Sequence, residues 1–269
     1  MSKASTYVLY GLLVESELPL DAPIADGAPD YRFELAEERV ASGAPEGKLV
    51  GEVHHGGFSF WCAEAARDAD IWVLRYGDVG DIEFNRASRV LTVYPVPGQT
   101  PELFGALIGG GVLSFVLAAD GELVMHASAV ETAGEVLAII GASGAGKTTT
   151  AALMCAAGAR LVSDDALRIA AGEPNHCYAG TNTLRLRPAA AELADSIAGA
   201  TLTETVDGRI GATPLRSAES GLPLRAFLLP QPSHEAEELR IERLSPKEGL
   251  VQLISNPRVI SWREPAPLR

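Results

Sequence analysis

Four lysines and three cysteines in 269 residues, and no apolar stretch of 18, narrow the field before any motif is read. The 22 basic residues face 35 acidic ones, a net charge of -13. Such a surface repels phosphate backbones and anionic lipid heads, which argues against nucleic acid and against membrane as partners. Cys62, Cys155 and Cys177 are too few, and odd in number, for a disulfide framework, so a reducing compartment and a cytoplasmic location are expected. The opening MSKASTYVLYGLLVESELPL carries one lysine and is interrupted by Glu15, Glu17 and Pro19, so no signal peptide is expected. Without 18 uninterrupted apolar residues, no membrane span is expected.

What is present is 47% hydrophobic, enough for one large core or two modest ones. The first third alternates short apolar runs with turn residues: TYVLYGLLV, FSFWCA after HHGG, IWVLRY, DIEFN and RVLTVYPV. Its spacing predicts a small β-rich N-terminal domain over 1–97, with loops at 21–30 and 41–47. PVPGQTPE (95–102) then punctuates the chain, which sets the expected boundary near residue 97 and a second domain over 98–269. ELFGALIGGGVLSFVLA has helical spacing despite glycines at 109 to 111.

LVMHASAV, a turn at ETAGE and VLAII predict a β-hairpin feeding a glycine-rich loop. A two-residue turn at Ala133 and Gly134 makes paired positions sum to 267. Val130 then faces Leu137, Ser128 faces Ile139, and His126 stands beside Gly141. The loop Gly141-Ala142-Ser143-Gly144-Ala145-Gly146-Lys147-Thr148 satisfies G-x-x-x-x-G-K-[ST], with Thr149 next in line. Glycines there let backbone N–H groups converge on phosphates, Lys147 adds charge, and the Thr148 hydroxyl can join a Mg²⁺ shell. A helix starting at Lys147 turns its positive end to the same anion.

Gly158 ends that helix, and RLVSDD reads as a short buried strand ending in Asp164 and Asp165. A helix of about 11 residues descends roughly 16 Å and a strand of about five climbs roughly as far, so both acids return to phosphate height. Adjacent side chains on a strand face opposite ways, which predicts different tasks for them. One carboxylate can serve as general base to an incoming hydroxyl and the other can approach the metal, directly or through water. His126 can orient or polarise one of them.

These residues together resemble HPr kinase/phosphorylase and the wider group of HPr-kinase-like proteins. The likeness consists of MHASAV, GASGAGKT and GARLVSDD, in that order and at those spacings. TLRLRP (183–188), PLRAFLLP (223–230), IERLSPKEGL (241–250) and the opening YGLLVESELPL resemble further segments of kinase-like relatives. The resemblance implies an α/β P-loop kinase domain akin to that of phosphoenolpyruvate carboxykinase, with ATP and Mg²⁺ as cofactors. It implies that Asp164 is the general base, Asp165 a metal-side acid, Thr148 a Mg²⁺ ligand, Lys147 a phosphate-binding catalytic residue and His126 a supporting partner. The acceptor would be a serine on a peptide or protein, as in relatives that modify lasso-type precursor peptides, with self-association left open. The sequence departs from the family at two places: Thr183-Leu184-Arg185-Leu186 stands where a metal-binding glutamate motif is usual, and a proline-glycine-arginine-asparagine motif is absent from SGLPLRAF. These losses argue against HPr itself as substrate and against regulated phosphorolysis. The sequence ends with NPRVISWREPAPLR, where such relatives often continue.

Arg185 and Arg187 alternate with leucines and can face either phosphate or solvent, while Arg209 and Arg216 sit in polar loop sequence. His54-His55 with Cys62, and His176-Cys177, lack the repeated ligand spacing of a zinc site, and EAEEL (235–239) reads as an exposed acidic face. Two rival functions carry weight beside the serine kinase: a kinase acting on a small alcohol or amino acid, and a catalytically degenerate ATP-binding regulator.

Overall fold

TYVLYGLLV, one apolar run in the sequence, folds as two strands in the computed structural model, β1 (Ser5–Leu9) and β2 (Leu12–Ser16), because Tyr10 and Gly11 turn at φ 55° and 73°. The structure describes residues 3–55, 58–205, 208–217, 221–233 and 238–259. Beyond β2 come β3 (Tyr31–Leu35), β4 (Gly47–His55), β5 (Phe58–Ala65), β6 (Asp68–Tyr76), β7 (Gly80–Asn85) and β8 (Val90–Pro95). They form one eight-stranded sheet in the order β1-β2-β3-β8-β7-β6-β5-β4, parallel only where β3 meets β2 and β8. Alternate residues such as Tyr31, Phe33, Leu91 and Val93 are buried, the period of two expected of strands.

Helix α1 (Pro101–Leu107), a π-helical turn over Ile108–Val112 and α2 (Leu113–Ala119) cover this sheet as one continuous rod. Thr100 caps its start. Phe104, Ile108, Val112, Leu113 and Val116 are buried, Phe115 meets Phe60 and Trp72 edge-on, and Tyr10 Oη donates to the Gly109 carbonyl at 2.6 Å. A Cβ at Gly105 would lie 2.0 Å from the Pro19 carbonyl oxygen, so only glycine lets the helix approach that closely. The boundary between the two compact units therefore falls between Gly121 and Glu122, not near residue 97. PVPGQTPE is the turn that folds the helix back onto its own sheet. Pro101–Ala119 is also, among the described residues, long and apolar enough to cross a membrane, and 56% of that window is buried within the protein.

Unit two, Glu122–Val259, is a mixed α/β body with few helices. Its strands are β9 (Leu123–Met125), β10 (Ala127–Thr132), β11 (Glu135–Ile140), β12 (Arg160–Ser163), β13 (Leu167–Ala170), β14 (His176–Tyr178), β15 (Leu184–Leu186), β16 (Thr201–Glu204), β17 (Ile210–Thr213) and β18 (Leu222–Leu228). Seven of them form a sheet in the order β12-β10-β11-β18-β14-β13-β9, and β15-β17-β16 form a smaller one. The β10–β11 hairpin has the predicted register, Val130 opposite Leu137 and Ser128 opposite Ile139, with Ala133 and Gly134 both at positive φ in the turn. Because β10 runs antiparallel to both β11 and β12, those two strands point the same way and end at one edge.

Residues then sort by face. Val130, Ile139 and Leu161 pack against α3 (Lys147–Ala156) with Leu184 and Leu186 beyond it, whereas Ala127, Ala129, Ala138, Ile140 and Val162 fill the core on the other side. Alternation along β10 leaves Ser128 on the α3 face. Short α4 (Glu192–Ser196) closes that core, and α5 (Pro246–Ile254), held by a Ser245/Glu248 capping box, precedes the last described segment.

Gly105→Ala tests how the helix sits. In an exposed helix alanine would add about 1 kcal/mol of stability; pressed onto Pro19 it should instead remove about 1–3 kcal/mol. Urea unfolding of the two proteins gives the sign, and a gain in stability would place the helix off the sheet.

Candidate active site

The loop between β11 and α3 turns on Gly144 and Gly146, at φ 85° and 91°, backbone shapes that cost an L side chain roughly 1–2 kcal/mol. Ala142, Ser143 and Gly144 are exposed at its tip, while Lys147 is buried. Lys147 Nζ donates to the carbonyls of Gly141 (2.9 Å) and Ala142 (3.2 Å). Burial pushes its pKa below the ordinary value, with Arg258 and Arg187 adding to the effect and Asp165 and Asp164 opposing it. Thr148, one residue on, donates its hydroxyl to Asp164 at 3.0 Å. Thr149 is half-buried in the first turn of α3.

β12 ends at Ser163, so the acids do not continue a strand and the expected alternation of faces does not apply to them. Asp165 instead adopts φ 71°, and Ala166 N–H donates to the Asp164 carbonyl at 2.9 Å, an i to i+2 closure that makes a positive-φ γ-turn. Side chains clamp it. The Asp165 carbonyl can only accept, so His126 Nδ1 carries the proton and donates to it at 2.9 Å; the Ser163 hydroxyl donates to Ala166 O. His126 Nδ1 also stands 3.3 Å from the Asp165 carboxylate.

Asp164 is 4% exposed and meets four donor contacts from three groups: Ser128 Oγ at 2.5 Å, Thr148 Oγ1 at 3.0 and 3.3 Å, and the Arg185 amide at 3.1 Å. Burial raises its pKa and the nearby Asp165 adds to this, against those hydrogen bonds. Asp165 behaves oppositely. Burial works against its charge, yet the His126 hydrogen bond and the charges of Arg258, His126 and Arg185 outweigh that and hold it well below the usual carboxylate range. Arg258 Nη2 reaches its carboxylate at 2.8 Å.

Thr148, Lys147, Asp164, Asp165 and His126 are thus brought together, but the contacts divide the acids differently from the expected scheme. The carboxylate beside Thr148 belongs to Asp164, while the γ-turn brings Asp165 to His126 and Arg258. Ser128 and Arg258 were missed by sequence reasoning. A lone serine on the buried strand that also leads to His126 was the available signal for the first, whereas nothing local to NPRVI marks Arg258. Arg187 Nη1 lies 3.9 Å from where a Gly144 Cβ would stand, which places this arginine over the loop, and Arg185 sends its backbone to Asp164.

Other candidates fall away. His54 packs on Trp61 and meets Ser59, Cys62 and Cys177 are buried, and His176 lies in β14. Arg216 binds the Gly180 carbonyl and Arg209 pairs through its backbone with Thr205. Residues 235–237 of EAEEL lie outside the described residues, as does most of NPRVISWREPAPLR. Among the described residues no group of three or more His, Cys, Asp or Glu side chains can hold a metal ion. Mg²⁺ bound through phosphate does not need one, since it takes most ligands from phosphate oxygens and water. The Thr148 hydroxyl, oriented by its hydrogen bond to Asp164, fits that mode. No family model matches the chain, and no curated protein matches it.

Asp165 supplies a pH test. A carboxylate whose folded pKa is depressed contributes stability that is present above its unfolded pKa of about 3.9 and is lost as pH falls towards the folded value. Asp165→Asn, which keeps a side chain tolerant of left-handed φ, should therefore cost about 1 kcal/mol from pH 5 to 8, allowing for solvent screening of a partly exposed pair. Below about pH 4 the difference from wild type should shrink. Urea unfolding across pH measures it, and a difference constant down to pH 3 would remove the ion pair with Arg258 and His126 from the account.

Proposed function

We propose that the chain is an ATP-dependent kinase, built on a P-loop domain of the HPr kinase and phosphoenolpyruvate carboxykinase type, that phosphorylates a serine hydroxyl of a peptide or protein. The observation that carries the reading is the 3.0 Å bond from Thr148, at the start of α3, to Asp164, in the turn that follows β12. Two elements 16 residues apart meet at one point, where a terminal phosphate held by the loop would be in reach of a carboxylate. The charge pattern supports it: Lys147, Arg185, Arg187 and Arg258 gather around this edge in a chain of net charge -13. The β10–β11 hairpin that feeds the loop has the register the sequence predicts.

Roles follow from position. Loop amides, Lys147 and Arg187 over the loop hold the phosphates and offset charge on the transferring group. Mg²⁺, when bound at Thr148, adds further neutralisation. The serine oxygen bonds to the γ-phosphorus as that atom's bond to the bridging oxygen breaks; ADP leaves with the electron pair, and Asp164 accepts the hydroxyl proton. Ser128 and the Arg185 amide fix the Asp164 carboxylate for this task, and His126 with Asp165 holds the turn that presents it. Serine and a macromolecular acceptor rest on the family resemblance, and a cytoplasmic setting on three unpaired, buried cysteines.

Labelled ATP incubated with the protein and cell extract, followed by separation of large from small products, tests the reading. Label on a peptide or protein supports it, label on a small molecule favours the small-acceptor kinase, and tight ATP binding with no product favours the regulator. Asp164→Asn should lower transfer by about 10²–10⁴-fold while nucleotide binding persists; unchanged turnover would take the base role from Asp164.

A further inference from the structure

The last described segment does more than follow α5. Asn256 O accepts from His126 N–H at 3.2 Å, Pro257 bridges Met125, and Arg258 N–H donates to Val124 O at 3.1 Å. These bonds lay residues 256–258 along the β9–β10 junction like a short extra strand, directly beside the histidine. Their result is to deliver one guanidinium into the site from 93 positions beyond Asp165.

That guanidinium is incompletely used. Nη2 meets the Asp165 carboxylate, but Nε is buried with no hydrogen-bond partner among the described residues. A buried donor left unmade is costly, and in a native protein it calls for an explanation. The side chain is 25% exposed, so part of it reaches the open side of the site. Its charge also contributes to lowering the Lys147 pKa, so the field of Arg258 extends to the loop lysine. A planar fork with several donors is the chemistry suited to a phosphoryl group bearing terminal oxygens, and Lys alone offers only a point charge.

We propose that Arg258 is the chain's own γ-phosphate arginine, resting on Asp165 and exchanging that carboxylate for the terminal phosphate of bound ATP. The inference rests on the kinase reading above and assigns the residue that distinguishes a triphosphate from a diphosphate. The β- and α-phosphates are left to the loop amides and Lys147, the groups that glycine-rich loops turn on them. Arg258 is then a specificity residue for ATP over ADP, supplied in the same chain by the strap that packs on His126.

Equilibrium binding of Mg·ATP and Mg·ADP to the full chain tests this without any turnover, using wild type, Arg258→Gln, Arg258→Lys, Asp165→Asn and the double variant Asp165→Asn/Arg258→Gln. ADP affinity should stay within about threefold of wild type in Arg258→Gln, which also reports that the loop is folded, while the preference for ATP over ADP falls about ten- to hundredfold. Arg258→Lys should recover part of it. The double variant separates contact from screening: if Arg258 binds the phosphate, preference stays lost, whereas if it only masks the Asp165 charge, removing that charge restores it and overturns the proposal. Unchanged preference in Arg258→Gln with ADP binding intact also overturns it and leaves the kinase reading standing. Failure of wild type to bind either nucleotide would overturn both.

Discussion

A single residue held in a backbone shape it disfavours governs the site. Asp165 sits at φ 71° in a γ-turn, a conformation that costs an ordinary side chain on the order of 1–3 kcal/mol and persists only when its surroundings over-determine it. Here they do: His126 grips its carbonyl, Ser163 grips the next residue's, and Arg258 grips its carboxylate. Relaxing the turn to a strand would send one acid away from the loop. The β10 register, which puts His126 at the turn, and the strap after α5, which brings Arg258 there, are both in service of that one kink.

The same kink separates two identical side chains chemically. Asp164 is enclosed beside Thr148 and Ser128 and its burial disfavours charge; Asp165 faces cations and stays ionised. Neighbouring carboxylates with opposed environments are a recurring way to obtain distinct roles from one residue type. The surrounding basic groups act against the protein's overall acidity. Their field is local, since charges beyond about 8–10 Å are largely screened at physiological salt, so an anion that reaches the loop meets attraction there despite repulsion elsewhere.

Much of this geometry could be read from residues alone, for reasons that are short-range. Ala133-Gly134 fixed a two-residue turn and hence every pair along β10 and β11; GASGAGKT fixed the loop; Gly158 fixed the length of α3 and so the return of the acids. What stayed hidden was non-local or energetically unfavourable. Aspartate gives little warning that it will adopt left-handed φ, so the acids looked like the end of a strand with opposite faces. PVPGQTPE carries the same residues whether it links domains or turns a helix onto its sheet, and only Gly105 pressed against Pro19 tells the difference. Arg258 has no motif because its partners, Val124 in β9 and the Asp165 carboxylate, are both far from it in sequence.

The strap has one more implication, for timing during synthesis. Ribosomes release the glycine-rich loop and both acids long before residue 258 emerges, and chains generally fold from the N-terminal side as they appear. Until the segment after α5 is made and laid along β9, Asp165 lacks its guanidinium and His126 its backbone partner. A polypeptide not yet extended to residue 258 therefore holds the loop and both acids without the finished constellation, which waits for a segment made 93 residues after Asp165.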